Sequence, residues 1–183
     1  MKTSLLFATL VLTSAIAFGQ AAPPAAQTQR SQTAATVAES VFNAGEFSLD
    51  LFGTYNDARP DLLSGSLKGG EYGAGLGATY FFHKNAGLQL DSTVNDVTDI
   101  TGGLFDHTSL SLIVRYPIGK FAPYATAGAG RDWVEHTWDT HTGAGVEWRF
   151  TKHLGAIGEA RWTFGTSGVP DTLQFRAGIR FTF

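Results

Sequence analysis

Cysteine is absent from the 183 residues. With no disulfide to draw on, stability must come from packing and hydrogen bonding, and a lipid anchor on an N-terminal cysteine is excluded. Charge is scarce as well. Asp, Glu, Lys and Arg make up 16% of the chain, against the quarter usual in soluble domains. The net charge of −3 rules out the strong positive field that draws nucleic acid. Long apolar runs are also missing, apart from Ser4 to Phe18, which falls short of the ~20 residues a membrane-spanning helix needs. What is present excludes disorder: 43% of residues are hydrophobic, and glycine is abundant at 22.

The one apolar run sits in MKTSLLFATLVLTSAIAFGQAA. Lys2 supplies a positive start, and Ala17-Phe18-Gly19 places small residues where a signal peptidase reads. This predicts a secretory signal peptide over 1–19. Residues 20–44 are rich in Ala, Gln, Thr and Pro and show no alternation. They read as a flexible periplasmic tether with a short helical turn near Thr36–Phe42.

From Gly45 to Phe183 the pattern changes to period two, the signature of strands whose side chains point alternately to opposite faces. The final stretch, LQFRAGIRFTF, sets Leu173, Phe175, Ala177, Ile179, Phe181 and Phe183 against Gln174, Arg176, Gly178, Arg180 and Thr182. Seven earlier stretches behave alike: EFSLDLFGTY, EYGAGLGATYF, GLQLDSTV, SLSLIVRY, FAPYATAGAG, HTGAGVEWRF and LGAIGEARWTF. The predicted links alternate between short ones, each with one lysine (Lys84, Lys120, Lys152), and longer ones near 56–68, 95–106, 131–140 and 165–171. Such asymmetry predicts an all-β, eight-stranded, antiparallel up-and-down transmembrane β-barrel.

Three features place the apolar face outside. Aromatics gather near strand ends, as at Tyr72 and Phe82, Trp148 and Phe150, or Phe181 and Phe183, which matches the girdles at the two surfaces of a bilayer. Glycines crowd the polar face, among them Gly75, Gly77, Gly143, Gly145 and Gly178, where a narrow lumen needs room for long neighbours. Finally, the charges on that face nearly balance. Glu46, Asp50, Glu71, Asp91, Glu147 and Glu159 stand against Arg115, Arg149, Arg161, Arg176 and Arg180. Arginine suits such confinement because its planar fork satisfies two carboxylate oxygens at once. These eleven residues are the expected lumen ion-pair network.

The C-terminal strand, with Ile179, Phe181 and Phe183 at alternate positions, resembles the recognition signal of outer-membrane β-barrel proteins. With the signal peptide and eight strands, residues 45–183 resemble the OmpA-, OmpX- and opacity-protein-like superfamily without its periplasmic domain. The resemblance implies a monomer in the outer membrane of a Gram-negative-type bacterium, delivered through the barrel-insertion machinery. Its surroundings would be outer-membrane lipids and lipopolysaccharide, with no nucleic acid and no cofactor. It implies a structural or surface-interaction role; an adhesin acting through acidic loops, a small gated channel and a lipid-modifying enzyme are the alternatives.

No catalytic or metal residue is assigned. His107-Thr108-Ser109 has the His-x-Ser spacing of outer-membrane lipid A deacylases, but it opens the fourth strand and no matching acid follows. Glu135, His136, Asp139 and His141 fit no standard zinc spacing, and Trp133 and Trp138 read as interface anchors. The outer rim is expected to be acidic, with Asp96, Asp99, Asp106, Asp132, Glu135, Asp139 and Asp171 against Arg131.

Overall fold

The structure, a computed structural model, describes residues 41–57, 70–94, 105–165 and 171–183. Eight antiparallel strands run in chain order: β1 Glu46–Asp57, β2 Glu71–His83, β3 Ala86–Val94, β4 His107–Arg115, β5 Phe121–Asp132, β6 Trp138–Arg149, β7 Leu154–Phe164 and β8 Thr172–Thr182. Each strand pairs with its neighbours in sequence, and β1 also pairs with β8, which closes the barrel. Closure leaves no open sheet edge, the condition for strands to cross a lipid phase in which unpaired backbone groups are costly.

Alternation sets the two faces. Along β4, Ser109, Ser111, Ile113 and Arg115 are buried, while Leu110, Leu112 and Val114 are exposed. Leu51, Leu76, Leu90, Val146 and Ile179 continue the apolar wall around the barrel. In water this continuous belt would far exceed the ~300–600 Å² patch of a typical monomer. The aromatics form a band at the short-turn end, where Trp148 stacks on Phe121 at 5.7 Å and meets Phe150 edge-on at 4.7 Å.

Two features depart from expectation. The third long connection spans only 133–137, five residues, the same as the turn at 116–120. β5 and β6 continue pairing up to Arg131↔Trp138, beyond the end of their apolar alternation. The tether also ends earlier than expected. Phe42 is 1% exposed, Arg149 Nη1 donates to the Val41 carbonyl, and Arg115 Nη2 donates to the Asn43 carbonyl at 3.1 Å. Residues 41–44 therefore belong with the barrel. The expected signal peptide over 1–19 and residues 20–40 lie outside the described residues.

Candidate functional site

The lumen is built in layers. Nearest the short turns, Arg180 grips Asp50 with two bonds, Nε to Oδ1 at 2.7 Å and Nη2 to Oδ2 at 2.6 Å, and reaches Glu147 Oε2 through Nη1 at 2.8 Å. Arg149 donates to Glu147 Oε1 at 2.6 Å and to both oxygens of Glu46, at 2.9 and 2.8 Å. Arg115 meets Glu46 Oε2 at 2.7 Å, and its guanidinium lies 3.5 Å from the centre of the Phe81 ring. Phe42 closes this layer, with Arg149 and Arg115 at 4.4 and 4.9 Å from its ring.

In the middle layer Asp91 takes Arg176 Nη2 at 2.8 Å and Arg161 Nη1 at 3.3 Å. Arg161 Nε also donates to Glu159 Oε1 at 2.8 Å. Ten expected network residues are thus in ion pairs: Glu46, Asp50, Asp91, Glu147 and Glu159 with Arg115, Arg149, Arg161, Arg176 and Arg180. Five positive charges face five negative ones.

Glu71 does not join them. It opens β2 opposite Asn56, is exposed, and has no ion pair among the described residues. Its inward parity is of no use there, because that end of β2 stands clear of the packed lumen.

Glycine makes this filling possible. Phe52 points inward, and its register neighbours on both sides are glycines, Gly75 and Gly178. A Cβ at Gly75 would lie 2.4 Å from the Phe52 ring. Gly145, beside Tyr124, would meet that ring at 2.5 Å. Sequence reading missed the inward Phe52, Phe81, Ile113 and Tyr124, since apolar residues on the polar face carry no signal in the alternation.

Towards the opposite end, glycine bridges a polar cluster. Ser111, Gly128 and His141 lie in one row across β4, β5 and β6, so Ser111 Oγ and His141 Nε2 meet at 2.8 Å over the missing side chain. His107 Nε2 reaches Asp139 Oδ2 at 2.7 Å. Ser111, His141 and Asp139 follow the order of a nucleophile, base and orienting acid. The geometry departs from that of a relay: His141 Nδ1 stands 3.9 Å from Asp139 Oδ1, and Ser111 and His141 are 1% and 3% exposed. In the His-x-Ser motif, Ser109 is engaged elsewhere, donating to Asp91 and accepting from Arg161, each at 3.0 Å. Among the described residues no group of three His, Asp or Glu side chains is placed to hold a metal.

The same barrel occurs in known proteins. The N-terminal β-barrel domain of Pseudomonas aeruginosa OprF matches with a TM-score of 0.56 and 18% identity, covering 77% of this chain and 99% of that one. Neisserial surface protein A matches at 0.54 with 15% identity, covering 76% and 99%. A de novo designed transmembrane β-barrel matches at 0.55 with 18% identity, covering 76% and 97%. No protein-family model and no curated protein sequence matches the chain. The fold is that of the small transmembrane β-barrels.

Proposed function

We propose that this chain is an integral outer-membrane β-barrel of Gram-negative type, exported by its signal peptide. Its role is structural or surface-presenting, and its lumen is plugged by arginine–carboxylate pairs. The single observation that carries this reading is inverted polarity: leucine, valine and aromatic side chains cover the outer wall, while fully buried Arg115, Arg149, Arg161 and Arg180 fill the interior. A water-soluble barrel would reverse both faces.

Size and connectivity support the plug. An eight-stranded barrel is just wide enough to be filled by side chains. Here the fill is cross-linked from β1 through β8 to β6, by Asp50, Arg180 and Glu147. An ion path would have to separate such pairs, and leaving one member buried and alone costs about 3–5 kcal/mol. Phe42 adds an apolar cap at the short-turn end.

Two measurements test the reading together. On expression the protein should fractionate with the outer membrane and migrate differently on a gel before and after boiling. In planar bilayers it should show no steady open conductance. A soluble periplasmic product would refute the membrane assignment, and a constant ohmic pore would refute the plug.

A further inference from the structure

The outer wall carries one charge whose surroundings differ from those of every lumen arginine. Arg131 lies near the end of β5, in register with Thr108 on β4 and Trp138 on β6. Its parity is that of the exposed Ala125, Ala127 and Ala129, so it faces outward. Its neighbours Asp132 and Asp139 have the opposite parity and face the lumen side. Among the described residues Arg131 is the one arginine without an ion pair, and its Nε is buried without a partner. Two indoles flank it instead, with its guanidinium 4.9 Å from the Trp133 ring and 5.4 Å from the Trp138 ring.

The height of Arg131 matters. It stands ten residues along β5 from Phe121, which belongs to the opposite aromatic band. At about 3.3 Å per residue and a tilt near 40°, ten residues climb roughly 25 Å. That is the thickness of the apolar band, so Arg131 sits at the level of lipid headgroups.

Directly beside it the wall is hollowed into an open groove of about 380 Å³, lined by Ser92, Phe105, Thr108 and Trp133. Its polar atoms satisfy one another. Trp133 Nε1 donates to Thr108 Oγ1 at 3.1 Å, and Ser92 Oγ donates to the His107 carbonyl at 3.0 Å. The Ser92 proton being engaged, Thr108 is the donor in their 2.9 Å contact. What remains for a ligand is an apolar trough. The hairpin above it carries its own bonds: Asp132 Oδ1 accepts from Val134 N and Glu135 N, both at 2.8 Å, and Trp133 N donates to the Asp106 carbonyl at 2.7 Å.

We infer that Arg131, Trp133 and Trp138, with the adjoining groove, form a binding site for an anionic, phosphate-bearing lipid of the surrounding leaflet. The phosphate pairs with Arg131, and the glycerol and ester region of the lipid lies against the adjoining Ser92–Phe105–Thr108 trough. This rests on the membrane reading above and adds a headgroup preference to it. Arginine supplies forked donors matched to phosphate oxygens, and the indoles hold that fork at the interface. A juxtamembrane cation favours anionic lipid by about fivefold, equivalent to ~1 kcal/mol.

The test uses the full chain carrying Trp148→Phe and Trp162→Phe, so that fluorescence reports Trp133 and Trp138. The protein is reconstituted in bilayers of dibrominated phosphatidylcholine mixed with either plain or dibrominated phosphatidic acid, and quenching yields the relative affinity of the two lipids. About fivefold preference for phosphatidic acid, falling to parity in Arg131→Gln and kept in Arg131→Lys, supports the site. Equal quenching by both lipids in the parent, or a preference that survives Arg131→Gln, overturns it while leaving the membrane reading intact. No quenching by either lipid overturns both.

Discussion

Replacing Arg180 with methionine is the sharpest perturbation of the lumen. Arg180 is 0% exposed, and it supplies both bonds to Asp50 and one to Glu147. Without it Asp50 loses its ion partner. Glu147 does not, because Arg149 Nε stays at 2.6 Å and Arg115 Nη1 at 3.7 Å. The cost is thus that of one stranded buried carboxylate, about 3–5 kcal/mol. The double variant Arg180→Met, Asp50→Leu removes the stranded partner too, restores lumen neutrality and should recover most of that loss. Urea unfolding of the reconstituted barrel, followed by tryptophan fluorescence, measures both. With a slope near 2 kcal/mol per M, the single variant's midpoint should drop by roughly 2 M. A single-variant cost below about 1 kcal/mol, or a double variant as unstable as the single, would show that water already solvates Asp50.

Other substitutions probe other parts of the account. Phe42→Ala should lower stability by about 3 kcal/mol in the same titration, since a buried ring is lost together with its contacts to Arg115 and Arg149. Gly178→Ala brings a Cβ within 2.3 Å of the Leu51 carbonyl oxygen and 2.5 Å of Phe52 Cβ, so the β1–β8 seam must shift, at a cost of about 1–3 kcal/mol. Leu112→Arg, halfway up the lipid-facing wall, should cost about 2–4 kcal/mol in bilayers. The same change at Tyr116, beyond the end of β4, should cost no more than about 1 kcal/mol; equal costs at the two positions would contradict the depth assignment.

The strands and their faces were legible because apolar and polar residues alternate over most of each strand, with inward Phe52, Phe81 and Ile113 as exceptions. Residues such as Leu110, Ser111 and Leu112 report their orientation individually. Ten of the eleven expected network residues lie together for the same reason: strand parity brings long arginines and carboxylates into one narrow space. Pairing choices were not legible. That Arg180 takes Asp50, or that Ser111 meets His141 over Gly128, depends on which residues share a row once β8 closes on β1. Glu71 has inward parity, but parity says nothing of height, and its end of β2 lies clear of the packed network. Phe42 was hidden differently. It belongs to a stretch with the composition of a tether, and its place against the guanidinium faces of Arg115 and Arg149 leaves no trace in the local pattern.

Absence of cysteine allows the central claim to be tested with single introduced labels. Nitroxides placed at positions 110, 112 and 114 on β4 should contact dissolved oxygen freely and a water-soluble nickel complex hardly at all once the barrel is in a bilayer. The account predicts that pattern at all three positions, because these side chains meet lipid. Labels immobilised and shielded from both reagents would put the leucines in a protein core and the arginines outside, and would contradict it.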